Sequence, residues 1–290
     1  MSQQSRRTLP TARHSPLTRI CFEDLLSAFG LGGLRYGRRP LELLFWVPAQ
    51  RLAHQVATYD RIVGESGLGA GGAWALERMV RRVEVEGREN VPREGPLVLV
   101  ANHPGLCDTV ALFAATPRPD LRVVAAERPF LDALPNTSRY LLNVKKASSG
   151  HFGLIRAATG HLRSGGAVLT FPGGKIEPDP AVLPGAVEAL ERWSASVNLF
   201  ARLAPGLTVV PVVVSGVLSP GALRNPLTFL RRRKEDQEWL AATLQMLTPG
   251  LYDVTAKVQF GRPIDASVQA PVERAVVSET RRLIERCKAE

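Results

Sequence analysis

"LVLVANHPGLCDTVALF", residues 97–113, strings apolar residues together, breaks at Asn102-His103, turns through Pro104-Gly105 and offers Asp108 before apolar residues resume. A short apolar run bounded by turn residues reads as a buried strand. The pattern after the turn reads as a helix. One histidine and one aspartate in so apolar a stretch raise the question of chemistry.

Outward from this stretch, β-rich runs alternate with helical patterns from Val83 onward. The runs are VEVEG, LVLVA (97–101), LRVVAA (121–126), LLNV (141–144), AVLTF (167–171), TVVPVVVSG (208–216) and DVTAKVQFG (253–261). Between them, Leu154, Ile155, Ala158 and Leu162 mark one helix face, and Val187, Leu190 and Val197 another. Pro271 opens a last helix with Val272, Val276, Leu283, Ile284 and Cys287 on its apolar side. The alternation predicts an α/β fold over residues 83–290, a mostly buried mixed sheet flanked by helices. Ahead of it, Phe45, Leu52, Val56, Tyr59 and Val63 recur at helical spacing, and Pro48 opens or kinks that helix. GESGLGAGG (64–72) reads as a flexible joint, followed by a shorter helix through Trp74, Leu76, Met79 and Val80. Residues 39–82 thus predict an amphipathic helical hairpin. Residues 1–38 predict a basic, mostly irregular arm with room for a short helix between Ile20 and Phe29.

The chain has 290 residues, enough for a substantial core. Its 37 Lys and Arg against 27 Asp and Glu give a formal net charge of +10, which favours an anionic partner: nucleic acid, a phospholipid surface or a phosphorylated substrate. Cys21, Cys107 and Cys287 are scattered, with neither a disulfide framework nor metal-ligand spacing, so no metal is expected. No apolar run approaches the roughly 18 to 20 residues that span a bilayer. Nor does an h-region follow Arg6, Arg7 and Arg13. The expectation is an intracellular chain that neither spans a membrane nor is secreted.

His103 and Asp108 stand five apart, about 140° around a helix and on opposite faces of a strand, so only a tight turn brings them together. Pro104-Gly105 supplies one, at the strand-to-helix junction where α/β sheets place their sites. Asp108 would then hold one imidazole nitrogen protonated, leaving the other to take a proton from a hydroxyl. An alternative stands level with it on these residues alone: Asp108 caps the helix and His103 is structural. A Cys107–His103 nucleophilic pair is a third possibility, against which the apolar setting of the thiol argues.

A second polar interruption, FPGGKIEPD (171–179), follows AVLTF. Gly173 and Gly174 let backbone approach a ligand and Lys175 adds charge, a combination suited to phosphate, although Leu169 stands where a Walker loop needs glycine. Taken alone, an ordinary turn with a solvated lysine is the better reading; the position after a second strand end in the same domain weakens it. Gly67-x-Gly69-x-x-Gly72 spells a dinucleotide fingerprint but follows a helical pattern instead of a strand. RRRKEDQ from Arg231 reads as a solvated helix face, with no aromatic interleaving for nucleic acid.

In this order, NHPGLCD, FPGGKIEPD and VVPVVVSG resemble the glycerolipid acyltransferases, the family of the 1-acylglycerol-3-phosphate acyltransferases, over about Val83 to Ile264. The resemblance implies that His103 is the general base toward the acceptor hydroxyl, with Asp108 as its partner. It implies acyl-CoA or acyl-ACP as co-substrate, with no bound cofactor. The family's second motif carries an arginine for acceptor phosphate; here the region reads LLNVKK, leaving Lys145 or Lys146. Its third motif is Phe-Pro-Glu-Gly, whereas this chain has Phe171-Pro172-Gly173-Gly174, and Glu177 is the nearby carboxylate. Gly173, Gly174, Lys175 and Glu177 complete the expected acceptor site. The implied partners are an acyl thioester, a lysophospholipid-like acceptor and an anionic membrane surface on the cytoplasmic side, met through the basic arm and through Phe45, Trp46 and Trp74 of the hairpin. Nucleic acid is not among them. A hydrolase or transacylase on the same scaffold, and a non-catalytic lipid-binding protein, are the alternatives.

Overall fold

The computed structural model describes residues 15–34, 38–105, 107–144, 148–248, 250–268 and 271–289. The seven β-rich runs are strands: β1 (Arg82–Glu86), β2 (Leu97–Ala101), β3 (Arg122–Ala126), β4 (Leu141–Val144), β5 (Ala167–Thr170), β6 (Thr208–Ser215) and β7 (Thr255–Phe260). A two-residue strand β8 (Ile264–Asp265) joins them. They form one mixed sheet in the order β1-β7-β6-β2-β5-β3-β4, with β8 paired to β6. β6, β2, β5, β3 and β4 run parallel, whereas β7 lies antiparallel to β6 and carries β1 parallel to itself.

The helices are α1 (Pro16–Ala28), α2 (Arg38–Leu76), α3 (Asp108–Ala115), α4 (Pro129–Asp132), α5 (Ser148–Arg163), α6 (Ala186–Ala189), α7 (Ser196–Leu203), α8 (Pro220–Leu223), α9 (Lys234–Leu247) and α10 (Val272–Ala289). They cover both faces of the sheet, which is why β2 is apolar at every position instead of at alternate ones. Leu97, Leu99 and Ala101 point into a core shared with α3 and the second half of α2. Val98 and Val100 point into the opposite core, closed by α5, α7 and α10.

The N-terminal region departs from the expected layout. Residues 16–28 form a packed helix whose Leu17, Cys21, Phe22, Leu25 and Leu26 bury against Phe45, Ala49 and Ala53 of α2. The rings of Phe29 and Phe45 stand 5.0 Å apart and those of Phe22 and Trp46 5.8 Å apart. The partner of α2's first half is therefore α1. The stretch 64–72, read as a flexible joint, is helical on either side of a break at Gly67 (φ 84°, ψ 174°). Its glycines serve close approach: a Cβ on Gly72 would lie 2.5 Å from Val110 O and 3.0 Å from Ala114 N, so α2 sits directly on α3. Val63, Leu68, Leu76 and Val80 share the core of β2 and α3. Asp60 adds a polar tie, accepting from Thr137 N at 2.8 Å and Thr137 Oγ1 at 2.7 Å.

Gly72→Ala tests this seam. In an open helix the change stabilises by about 1 kcal/mol; here backbone stands in the way, and overpacking predicts a loss of about 1–3 kcal/mol. Denaturant unfolding reads the sign, and a stabilised variant would contradict the close packing of α2 on α3.

Candidate active site

Chain leaving β2 at Ala101 is still buried, so its polar groups need partners. Asn102 meets Val214 of β6 in both directions: Nδ2 donates to Val214 O at 2.9 Å and Oδ1 accepts from Val214 N at 2.7 Å. Gly105, at φ 143°, takes a backbone conformation L side chains avoid, and Asp108 N donates to Gly105 O at 3.0 Å to close the turn. Asp108 thereby arrives beneath the ring of His103, with Nδ1 and Oδ2 2.7 Å apart.

The carboxylate of Asp108 is buried and receives several donors. Oδ2 also accepts from Gly105 N at 2.9 Å, while Oδ1 accepts from Thr109 N and, at 2.9 Å, from Thr109 Oγ1. A carboxylate so surrounded acts as acceptor, which assigns the shared proton to His103 Nδ1 and leaves Nε2 with a lone pair. Asp108 is itself the first residue of α3, and its carboxylate binds Thr109 of that first turn while it also meets the imidazole. The His103 ring is partly exposed and stacks on Phe171 with centroids 4.6 Å apart. Burial disfavours the imidazolium, but the charge and hydrogen bond of Asp108, helped by Glu177, outweigh it and raise the His103 pKa above its ordinary value; Arg128 acts in the opposite sense. Cys107 is buried in the core and its thiol is pushed far up by burial, so it is no nucleophile.

The glycine-lysine stretch lies beside this turn. Gly174 (φ 64°) closes it by donating to Phe171 O at 3.1 Å, and Lys175 is exposed beyond it. Glu177 is buried and engaged inside the protein: Oε2 accepts from His103 N at 2.9 Å, and Oε1 accepts from Trp193 Nε1 at 2.6 Å. Glu177 N in turn donates to His103 O at 2.8 Å. A Cβ on Gly173 would fall 2.4 Å from Glu177 Oε1, so the volume that a side chain at 173 would enter is filled by this carboxylate. Lys145 and Lys146 lie outside the described residues.

Three contributors were not singled out in the sequence. Asp179, fully buried, accepts from Gly216 N and Val217 N at 2.8 Å each and from Leu218 N at 3.1 Å, tying this loop to the end of β6. Trp193 anchors Glu177. Arg128, exposed at the start of α4, has a charge that acts on His103 and on Asp24 of α1 alike. Arg128 left a signal in sequence as a cation flanking the β3 run, and Asp179 as the last residue of FPGGKIEPD; Trp193 left none. Among the described residues no cluster of three or more His, Cys, Asp or Glu is placed to hold a metal ion.

Residues 82–215 match the sequence model of the Acyltransferase family. Among solved structures, the chain is similar to the crystal structure of the 1-acyl-sn-glycerophosphate (LPA) acyltransferase PlsC from Thermotoga maritima. The identity is 19%, the match covers 94% of this chain and 98% of that chain, and the TM-score is 0.47. No curated protein matches.

If Glu177 acts by holding the His103 loop, Glu177→Gln should lower turnover of an acyl thioester about tenfold or more, with the acceptor KM nearly unchanged. Gly173→Ala, which pushes on the carboxylate, should act in the same direction. A raised KM at normal turnover in Glu177→Gln would instead make Glu177 a substrate contact.

Proposed function

We propose, from the match of residues 82–215 to the Acyltransferase family model, that the chain moves a fatty acyl group from acyl-CoA or acyl-ACP to the hydroxyl of a lysophospholipid- or glycerol-phosphate-like acceptor. The observation that carries this reading is the 2.7 Å bond between His103 and Asp108 at the carboxyl-terminal edge of the parallel strands. His103 Nε2 takes the proton of the acceptor hydroxyl as its oxygen attacks the thioester carbonyl. A C–O bond forms, the C–S bond breaks, and the departing thiolate recovers the proton from the imidazolium. Asp108 stabilises that imidazolium and does not itself take the proton.

The base works only when neutral, so activity should rise with pH along an acid limb whose midpoint lies above the ordinary imidazole value, because Asp108 raises the His103 pKa. Asp108→Asn removes the larger raising influences and leaves burial and Arg128, which favour neutral imidazole, opposed only by Glu177. The limb should then move to lower pH while the maximal rate falls by about 10³-fold or more. His103→Ala should abolish transfer in a folded protein. A limb that stays in place in Asp108→Asn contradicts the pairing. Identifying the labelled product as ester or free fatty acid separates transfer from hydrolysis.

Arg128 is the described cation whose field reaches His103, which supports it as a contact for acceptor phosphate. Lys175, with the Gly173–Gly174 backbone beside it, is a further cation for that role, and the sequence adds Lys145 and Lys146 as candidates. Arg128→Ala should raise the acceptor KM by about 10-fold, the value of one charge-assisted contact, and leave the thioester KM within about 2-fold. Equal effects on both substrates would remove it from the acceptor site.

The acceptor class requires access to lipid. No described helix is long and apolar enough to cross a membrane. Phe45 is buried and Trp46 partly so, both against α1, so they cannot be the inserting residues; Leu43, Leu44 and Val47 are the exposed apolar side chains of α2. These support peripheral attachment, on the cytoplasmic face, through the first half of α2.

A further inference from the structure

The segment Arg224–Lys234, between α8 and α9, carries a surface that the chemistry above leaves unused. It contains Arg224, Arg231, Arg232, Arg233 and Lys234 and no acidic residue. Pro226–Leu230 forms a 3-10 turn from which Leu227, Phe229 and Leu230 project, Phe229 with 77% and Leu230 with 62% of its surface exposed. The turn is rigid. Buried Thr228 donates from Oγ1 to Asn225 O at 2.7 Å, and Asn225 Oδ1 accepts from Leu227 N at 3.0 Å. An exposed aromatic held in place so firmly costs stability in water unless it meets an apolar phase.

Arg231 shows where this surface belongs. Its guanidinium donates to Ser27 O at the end of α1 at 3.1 Å and pairs with Asp236 at 3.0 Å. Gly30 leaves room for it: a Cβ there would stand 2.5 Å from Arg231 Nη1. The same end of α1 packs its Phe29 on Phe45 of α2, beside the exposed Leu43 and Leu44 and near Arg39 and Arg51. One helix thus bolts two cation-flanked apolar ridges together. α9, which follows the second ridge, is tied to the site side of the sheet: Gln245 donates to Val217 O at 2.9 Å, and Asp179 of the loop beside His103 accepts from the amides of residues 216–218.

We infer that Arg224–Lys234 is a second membrane-contacting element, which inserts Phe229 and Leu230 into an anionic lipid surface while Arg232 and its neighbours meet the headgroups, so that the protein docks on two ridges with α1 between them. This rests on the peripheral acyltransferase reading. The occupant is a lipid surface because the exposed apolar side chains stand next to exposed Arg224, Arg232 and Lys234, for which anionic headgroups are the complement, while Arg231 and Arg233 are paired with Asp236 and Glu235.

The test uses full-length protein with Phe229→Glu/Leu230→Glu, and separately Arg232→Glu/Arg233→Glu. Co-sedimentation employs vesicles of phosphatidylglycerol and phosphatidylcholine in equal parts, and of phosphatidylcholine alone. Transfer is assayed with a short-chain 1-acylglycerol 3-phosphate free in solution and with a long-chain one presented in the vesicles. Each variant should lose about tenfold in affinity for the anionic vesicles and in turnover of the vesicle-borne acceptor. Turnover of the dissolved acceptor, which reports folding and an intact site, should be unchanged. Wild-type-like vesicle binding by the apolar variant overturns the proposal. So does a shift from dimer to monomer in light scattering with vesicle binding intact, which assigns the tip to a second copy of the chain. If no acceptor is acylated even by the unmodified protein, the acyltransferase reading fails, while the sedimentation arm still decides the docking surface by itself.

Discussion

Burial of the central strands on both faces drives the polar groups at their carboxyl-terminal edge toward protein partners, with Ser215 Oγ the exception, and the site follows from how that demand is met. Asn102 closes on Val214, Glu177 on the backbone of His103, and Asp179 on three successive amides after β6. Each bond ties a loop that leaves one strand either to a neighbouring strand or to the loop that follows another. Together they fix the one partly open polar side chain of the turn, the imidazole of His103, over a carboxylate that can only accept. Precision at such a site comes from saturating the groups around the reacting one, because a buried donor without a partner costs more than a made bond gains.

Much of this was legible in the sequence where local pattern decides the outcome. Seven strands could be read because β-rich runs are short and bounded by turn residues, and the His103–Asp108 pair because Pro104-Gly105 marks a turn whatever surrounds it. Glycine was harder. Gly67 does break α2, but Gly71 and Gly72 sit where a neighbouring helix or turn approaches too closely for a Cβ. Flexibility and close approach leave the same letters in a sequence. Phe45 and Trp46 misled for a similar reason: an amphipathic helix displays an apolar face, and the sequence does not say whether α1 or a bilayer covers it.

The FPGGKIEPD loop holds its buried carboxylate by packing instead of by sequence position. The resemblance leads one to look for a carboxylate at residue 173 and finds glycine there. Three-dimensional packing brings the carboxylate of Glu177 back over that glycine, where burial pushes its pKa up and Trp193 and the His103 amide hold it down. Sequence spacing could not report this, since it depends on the chain doubling back between Gly174 and Glu177 and on an indole from a different helical turn.

The pairing of β1 with β7 imposes an order on assembly. Arg82 aligns with Thr255 and Glu86 with Gln259, whose side chains bond across a separation of 173 residues. A ribosome releases β1 long before its partner exists, and throughout that interval the apolar side of α2 that ends in Leu76 and Val80 has only part of its core to cover it. That sheet edge thus waits for residues 255–260, and the nascent chain carries an unpaired strand and a partly covered apolar helix through most of its synthesis.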